Sequence, residues 1–510
     1  MSFFARRLKS ENWNHFFTKM AISSFNHKLS LKILGGLLFV NGFFLLTAFG
    51  IEMIYEEGAA FGFVVAICLS LFSGIAGMVA GRNAPSGISR HEGSMIVTSI
   101  WILFTLIGLL PFWVNGCIPD FTNAFFETMS GFTTTGASIL DNIEQMPHSI
   151  LFWRSLTQWV GGLGIIVIII ALLPLFGYTS VQLFAAEAEG ITRDKIHPKI
   201  SETAKRLFLI YVVLTAINAF LLRAAGMNWF DAVCHSLTTI ATGGFSTKQS
   251  SIAWWNSPAI EYVTIFFMIF SGVNFSLYYF FIKLKWKKIF KNEELKYYCL
   301  ILLIFTVFIA ISNVAFDQKP TLRSLEQTIR ESFFMVSSIM TTTGYTTYDY
   351  MYWMPFTWIM LLILMISGAS SGSTSGAIKV VRVILVVKFC YYEFKRMIHP
   401  NAVLPVRYNG HIVRNEIITR VIVFALLYCI LILLGILVLS FNGLGFMESV
   451  SGMIASLSIV GPGLGEFGPG GSYADISGFA KWFLSFVMLV GRLELFTVLL
   501  ILTPAFWKRF

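Results

Sequence analysis

Four uncharged stretches of small residues recur along this sequence: TTTG at 133–136, ATGG at 241–244, TTTG at 341–344 and SIVG at 458–461. None contains a carboxylate, so they do not predict an Asp or Glu ring for a divalent cation. A ring of backbone carbonyls, by contrast, can replace the hydration shell of a monovalent cation. Glycine allows backbone angles that other residues avoid, and small residues let several loops approach closely. The composition therefore favours a carbonyl site for a monovalent cation.

The elements that must position these stretches are short amphipathic segments before them, as in NAFFETMSGFTTTGAS (123–138). Similar segments begin at Trp229, Leu325 and Gly445. Each spans about 12 to 15 residues, too short for a helix that crosses a bilayer and suitable for a re-entrant helix. Non-helical backbone at membrane depth is tolerated where protein buries it or water reaches it. The sequence predicts four re-entrant helices whose loops meet on one axis.

The chain around these segments is strongly apolar. It has 510 residues, of which 13 % are charged and 56 % hydrophobic, against about 25 % charged in soluble domains. About 20 apolar residues span a bilayer as a helix. This predicts a polytopic α-helical membrane protein and excludes a soluble one. The long apolar runs are 33–51, 60–80, 94–114, 160–176, 207–222, 259–282, 297–316, 417–440 and 482–505.

The repeat unit is a span, a re-entrant helix, an extended loop and a second span. Four units and two additional N-terminal helices predict ten spans, an all-α fold with a pseudo-fourfold pore. The predicted divisions are a cytoplasmic segment 1–32, two extra helices in 33–82, and pore repeats at 83–178, 179–284, 285–396 and 397–510.

The charges indicate the topology. Net charge is +10, and basic residues concentrate in 1–32, 283–296 and 379–420 and in the terminal WKRF. Basic loops remain on the cytoplasmic side, so both termini are expected there. The N-terminus does not read as a cleavable signal peptide. The six cysteines form no CxxC pair and are interpreted as packing residues.

Together, TTTGAS, ATGGFS, TTTGYT and VGPGLG resemble the TrkH-type subunits of the Trk/Ktr/HKT superfamily of potassium uptake proteins. The resemblance covers residues 33–510, and the two extra N-terminal spans are similar to the Trk branch. It implies a potassium-selective pore in one chain, a homodimer and a bacterial cytoplasmic (inner) membrane location. Glycine at position 136, rather than serine, resembles the potassium-selective members. In the fourth stretch, Ile459, Val460 and Pro462 depart from the Thr-rich pattern.

The resemblance implies a potassium-binding selectivity filter formed by backbone carbonyls. Its residues would be Thr133, Thr134, Thr135, Gly136, Ala241, Thr242, Gly243, Gly244, Thr341, Thr342, Thr343, Gly344, Ser458, Ile459, Val460 and Gly461.

A run of small residues interrupts the second span of the third repeat. SGASSGSTSGA (367–377) contains Gly368, Gly372 and Gly376 and is followed by Lys379. Such residues, alanine excepted, form helices poorly. A flexible cytoplasmic linker is one interpretation. The apolar run before it is short for a crossing, which favours a broken helix below the filter. The resemblance implies an intramembrane gating loop here.

Arg492 lies deep in the last apolar run, in FVMLVGRLELF. Charges inside a membrane are costly and mark functional sites. A structural pair with Glu494 is an alternative, but residues two apart lie on different helix faces. We expect Arg492 to project into the pore near the gating loop as an electrostatic barrier.

Two functional classes remain after these observations. The first is channel-like potassium uptake; the second is a secondary symporter coupled to protons or sodium, since transporters also contain broken helices and repeats. Transporters usually have inverted repeats, whereas these four run in one direction, and a scaffold would not need Thr-Gly loops. GLGEFG (463–468) lacks the strand and helix of a dinucleotide site. No enzyme, nucleic-acid binding or organic cofactor is expected. The resemblance implies a cytosolic nucleotide-binding (TrkA-like) subunit on the basic inner loops.

Overall fold

The fold is described from a computed structural model of the chain, for residues 26–84, 90–162, 164, 200–316 and 324–507. The helices of the first part are α1 (His27–Tyr55), α2 (Ala60–Ala80), α3 (Arg90–Gly108), α4 (Leu110–Val114), α5 (Phe121–Phe132) and α6 (His148–Gly162). The second part contains α7 (Ile200–Ala224), α8 (Trp229–Ile240), α9 (Pro258–Ser271), α10 (Phe275–Ile282), α11 (Trp286–Phe290) and α12 (Glu293–Phe316). The last part contains α13 (Leu325–Met340), α14 (Pro355–Ser367), α15 (Val380–Ile398), α16 (Asn415–Phe441), α17 (Phe446–Ser458), α18 (Gly478–Arg492), α19 (Glu494–Leu502) and α20 (Pro504–Trp507).

Apolar helices long enough to cross a membrane dominate this architecture. By length and composition six of the described helices qualify, and α9 with α10 makes a seventh if that pair, bent by 96°, is one span. Most of the apolar run 160–176 and residues 1–25 of the segment 1–32 lie outside the described residues. The ten-span count and the repeat boundaries therefore stay predictions.

The first two long helices pack closely through small residues. A Cβ at Gly35 would lie 2.6 Å from the carbonyl oxygen of Gly74, and Ser70 donates to the carbonyl of Leu38 at 2.7 Å. Small residues at helix contacts let two backbones approach in an apolar environment. This explains why α1 and α2 form a hairpin at the edge of the bundle.

Short helices occupy the four segments for which the sequence predicts them: α5, α8, α13 and α17. Three begin at a side-chain cap, with Asp120, Asn228 and Ser324 accepting from the backbone N–H three residues on. Such caps satisfy N–H groups that lack a partner in the first helical turn. Most residues in the last two turns of each short helix are buried in the protein. Short, buried and amphipathic, they carry the Thr-Gly loops into the centre of the bundle.

Helices that follow the loops break at similar places. α6 ends at Gly162, α9 and α10 meet at 272–274, α14 and α15 are separated by 368–379, and α18 gives way to α19 at Leu493. The break at 368–379 was predicted from composition, whereas that at 272–274 was not. These interruptions bring irregular backbone together beneath the four loops.

Within the described residues one small sheet departs from the all-α expectation. Strands β1 (Arg407–Tyr408) and β2 (His411–Ile412) pair antiparallel, in the register Arg407 to Ile412. The connecting Asn409 and Gly410 have φ of 49° and 80°. An Asn-Gly pair with positive φ at both residues is typical of a tight hairpin turn. The basic segment 379–420 is therefore partly ordered as helix α15 and this hairpin.

Candidate ion pathway

The four Thr-Gly loops share one backbone conformation. In each loop a residue just after the end of the short helix is left-handed: φ is 60° at Thr134, 53° at Thr242, 58° at Thr342 and 63° at Ile459. Two residues later, Gly136, Gly244, Gly344 and Gly461 have φ of 81°, 78°, 79° and 91°. The fourth loop departs in sequence, yet Ile459 takes the same backbone angle as the threonines.

Each loop is tied to the end of its own helix. The N–H of Thr135 donates to the carbonyl of Ser130 at 2.9 Å, and the corresponding bonds in the other loops are 2.9, 2.8 and 2.9 Å. This is the hydrogen bond that closes a helix in a Schellman motif, in which glycine normally occupies the left-handed position. Here a β-branched residue occupies it, a conformation that costs free energy and persists only where the surroundings impose it.

The glycines place the loops in a closed cycle. A Cβ at Gly136 would overlap the carbonyl oxygen of Gly243, one at Gly244 that of Thr343, and one at Gly344 that of Val460. The cycle closes at Gly461, where a Cβ would lie 2.6 Å from the carbonyl oxygen of Thr135. Each loop thus contacts the next at equivalent atoms, in the order one, two, three, four. A side chain at any of these glycines would push two loops apart.

A buried ion pair supports the first two loops from behind. Arg154 of α6 lies 2.7 Å from a carboxylate oxygen of Glu127 on α5, and their side chains are 3 % and 0 % exposed. Glu127 also accepts from the N–H of Ile139 at 2.9 Å, and Arg154 donates to the carbonyl of Ser246 at 2.8 Å. Buried charges need such additional partners. The pair fixes the chain that follows each of the first two loops.

Tyrosine hydroxyls support the other side of the ring. The hydroxyl of Tyr473 donates to the carbonyl of Gly461 at 2.9 Å, and Tyr428 shares a 2.7 Å hydrogen bond with Ser458. Tyr345, which follows the third loop, hydrogen-bonds the hydroxyl of Thr238 on α8. The first two bonds brace the fourth loop from its own flanking segments, and the Tyr345 bond joins the third loop to α8.

The segment 368–379 between α14 and α15 consists of the small residues up to Ala377 followed by Ile378 and Lys379, and it is called the run. It lies directly beneath the loops. Gly376 donates its N–H to the hydroxyl of Thr342 at 2.9 Å, and Thr374 donates to the carbonyl of Ile240 at 3.1 Å. A Cβ at Gly376 would overlap the carbonyl oxygen of Ser458 in the fourth loop. Most of the run is buried. It packs inside the bundle and does not extend as a linker.

The same run interlocks with the unanticipated break in the second repeat. Ser370 donates its N–H to the carbonyl of Gly272, and Phe275 donates to that of Gly372, both at 3.0 Å. Ser371 also donates its N–H to Glu294 of α12 at 2.5 Å. Glu294 gave no sequence signal, since an acidic residue at a helix start is common.

Arg492 lies at the junction of this run with the first repeat. Its guanidinium donates to the carbonyl of Thr374 at 2.9 Å and to that of Gly162 at 2.8 Å, and it also contacts the carbonyl of Gly161. The last two carbonyls form the C-terminal end of α6, where a cation is favoured. Arg492 therefore lies beside the run, and its role as a barrier stays a prediction.

The acidic neighbour of Arg492 has a different partner. Glu494 pairs with Arg382 of α15, so no Arg492–Glu494 pair is needed to satisfy this carboxylate. Lys379 has a positive φ of 75° and ends the run immediately before α15. Gly368 and Gly372, with φ of 66° and 71°, turn the chain in the first part of the run. All predicted gate residues thus cluster beneath the loops.

Within the described ranges no group of three or more His, Cys, Asp or Glu side chains is placed to hold a metal ion. The polar atoms that the four loops bring together are instead backbone carbonyls and threonine hydroxyls. These are neutral oxygen ligands, which suit a dehydrated monovalent cation.

Apolar spans with buried, converging loops define a polytopic helical membrane protein of the ion-transporting class. The sequence matches the family model for TrkH, a cation transport protein, over residues 63–509. The chain therefore belongs to the TrkH family.

Relatives cover nearly the whole chain. It is 36 % identical over 461 residues to the Trk system potassium uptake protein TrkH of Escherichia coli (strain K12), a match covering 90 % of this chain and 94 % of the relative. Identity to the protein of the same name from Halomonas elongata is 35 % over 492 residues, covering 94 % and 99 %. The crystal structure of the potassium transporter TrkH from Vibrio parahaemolyticus matches with a TM-score of 0.84 at 32 % identity, covering 94 % of this chain and 99 % of that one.

Proposed function

We propose that this chain takes up potassium ions across the bacterial cytoplasmic membrane through a channel-like pore. Its relatives are named potassium uptake proteins and potassium transporters. The observation that carries the proposal for this chain is the closed cycle in which Gly136, Gly244, Gly344 and Gly461 each abut a carbonyl of another loop. Such a cycle can present a ring of neutral oxygens to a single ion.

The selectivity filter is formed by 133–136, 241–244, 341–344 and 458–461, with potassium as the bound and transported ion. The small-residue segment 367–377 is the gate below it, and Arg492 adds a positive charge to the path. The hydrogen bond from Arg492 to the carbonyl of Thr374 supports this assignment, because it holds the gate loop in place. A cation approaching the guanidinium is repelled, so release of Arg492 opens the path.

The chain crosses the membrane ten times in four pore repeats and two extra helices, with both termini in the cytoplasm. Two copies of the chain assemble as a homodimer. The homodimer binds a cytosolic nucleotide-binding subunit of the TrkA type, since the relatives are named as proteins of a Trk system. The basic segments near α11, α15 and the β-hairpin supply the inner surface for this subunit. Binding there can act on the gate through α12 and α15.

Reconstitution of the purified chain in liposomes tests the proposal. Uptake of potassium or rubidium is measured against sodium, first without and then with an imposed proton or sodium gradient. Rapid uptake that favours potassium and rubidium without a gradient is expected, and the regulatory subunit is added if the gate is closed. Uptake that requires the gradient would instead establish the symporter, which the broken helix α9–α10 makes a real alternative. Equal sodium uptake would contradict a selective filter.

A further inference from the structure

Loops one and three are held by their own side chains, whereas loop two is held by a side chain from another helix. In loop one, the Thr133 hydroxyl donates to the carbonyl of Met129 at 2.7 Å and lies 2.8 Å from the hydroxyl of Thr135. A hydroxyl has one proton, so Thr135 is the donor of this second bond. Loop three repeats the arrangement with Thr341 and Thr343, also at 2.8 Å. These two loops are braced by their own side chains.

Loop two lacks both of these hydroxyls. Ala241 and Gly243 occupy the two positions, and the hydroxyl of Thr242 donates only to the carbonyl of Ala241, at 2.7 Å. A side chain from α6 occupies the place instead. The amide of Gln158 donates to the carbonyl of Gly243 at 2.6 Å and accepts from the N–H of Phe245 at 3.0 Å.

These two bonds fix the orientation of the amide. An amide group carries one acceptor and one double donor, and turning it over would set oxygen against the Gly243 oxygen and nitrogen against the Phe245 nitrogen. The residues it holds lie on either side of Gly244, one of the four ring glycines. Gln158 therefore controls the backbone of loop two at the ring itself.

Gln158 and Gly243 are sterically matched. A Cβ at Gly243 would lie 2.8 Å from the side-chain nitrogen of Gln158 and still closer to its carbon and oxygen. The carbonyl of Gly243 in turn abuts Gly136 of loop one. Gln158 thus lies at the junction of two filter loops, and it is fully buried.

Two corresponding positions in other helices carry methionine and not an amide. Met268 of α9 lies four residues before the helix break at Gly272, and Met488 of α18 lies four residues before the break at Arg492; both are fully buried. Counted the same way from Gly162, α6 carries Gln158. Burying an amide is unfavourable unless its hydrogen bonds are made. A methionine would fill the space without that cost, so packing alone does not account for the glutamine.

We infer that Gln158 is a positioning residue that sets ion specificity by holding the carbonyl of Gly243 in the ring. The inference rests on the proposed function of the four loops as a potassium filter. Sodium is smaller than potassium, so binding it requires the carbonyls to move inward. Gln158 restrains the carbonyl oxygen of Gly243, whose own loop has no threonine brace, and thereby opposes this movement.

Ion-dependent thermal stability tests the inference independently of the gate. The melting temperature of the purified chain is measured in potassium and in sodium at equal ionic strength, because an ion that binds the folded state stabilises it. Gln158→Met, which introduces the residue used in α9 and α18, is expected to reduce the preference for potassium about fivefold, the loss that one neutral hydrogen bond produces. Ser155→Ala is the control, since Ser155 donates within α6 to Leu151.

Gln158→Glu serves as a second variant. It keeps an acceptor for Phe245 and, when ionised, loses the donor to Gly243, so it should reduce the preference as Gln158→Met does. An unchanged preference in both variants would overturn the inference while wild-type selectivity still supported the filter. Misfolding of both would also overturn it, because Gln158 would then serve stability alone. A wild-type chain with no preference for potassium would refute the filter itself.

Discussion

The ring of four loops and the run beneath it are held by different kinds of bond. Every loop of the ring is closed by the same local bond to its own helix, between 2.8 and 2.9 Å. The run 368–379 is held by single bonds to other elements, including Arg492, Glu294 and Thr342. The bond that closes each loop persists as long as its own short helix is folded. Bonds to distant side chains can be released one by one, so the ring is suited to selection and the run to gating.

The difference has an energetic consequence. A hydrogen bond that involves a charged group contributes about 1.5–3 kcal/mol, and a neutral one about 1 kcal/mol. Losing one tether therefore changes the closed-to-open equilibrium of the run by roughly five- to a hundredfold. The expected rise in ion flux is therefore largest where several tethers are removed, smaller where one charged tether is removed and smallest where one neutral tether is removed.

Removing residues 371–374 should have the largest effect. The deletion eliminates the N–H bonded to Glu294, the carbonyl bonded to Phe275 and the contacts of Thr374 with Ile240, Ser271 and Arg492. Basal potassium flux in liposomes should rise well beyond about a hundredfold, since several tethers are lost together. A monodisperse, correctly folded variant without flux would contradict a gate in this run.

Arg492→Gln should raise basal flux by about ten- to a hundredfold, the loss of one charge-assisted tether. The matched control is Lys481→Gln on the same helix, whose ammonium bonds Asn123 at 2.7 Å and Ala474 at 2.6 Å far from the run. Tracer uptake measures both variants. Flux that is unchanged or lower in Arg492→Gln would exclude the barrier.

Glu294→Gln should raise basal flux by about fivefold, because a neutral acceptor replaces a charged one at the N–H of Ser371. Glu293→Gln is the neighbouring control, since Glu293 pairs with Lys388 and leaves the run untouched. Equal flux in the two variants would show that Glu294 does not tether the run.

Thr342→Val should have the smallest effect, a few-fold rise in basal flux, because one neutral bond to Gly376 is lost. The equivalent Thr134 has a buried hydroxyl without a hydrogen-bond partner in the part of the chain that the structure describes. Thr134→Val is therefore the matched control. If both substitutions raised flux equally, the tether between the third loop and the run would be disproved.

The sequence was most informative where structure is determined locally. TTTG and the small-residue run predict loops because glycine allows positive φ and threonine hydroxyls hydrogen-bond to the adjacent backbone. The sequence does not predict the break at 272–274, because SGVNF contains one glycine and the two bonds of the break to the run come from about a hundred residues away. Asn409-Gly410 is typical of a hairpin turn, but its strands have two residues each and give no alternating pattern.

Side chains that act across repeats gave little signal. Gln158 lies in RSLTQWVGG among other polar residues, and its partners Gly243 and Phe245 become visible only when the loops are assembled. The same holds for the pairing of Arg154 with Glu127. Hydrophobic periodicity identifies the face of a helix that is buried, but it does not identify the residues that this face contacts.

The central claim is that the glycine ring selects the ion, and Gly136→Ser tests it most directly. A Cβ at Gly136 would overlap the carbonyl oxygen of Gly243, whereas nothing lies within 4 Å of one at Gly116, which also has a positive φ. The ratio of potassium to sodium uptake in liposomes is compared for Gly136→Ser, Gly116→Ser and the unchanged chain. We expect the ratio to fall at least about tenfold in Gly136→Ser, corresponding to about 1.4 kcal/mol, and to persist in Gly116→Ser. An unaltered ratio in a conducting Gly136→Ser protein would contradict the ring as the selectivity filter.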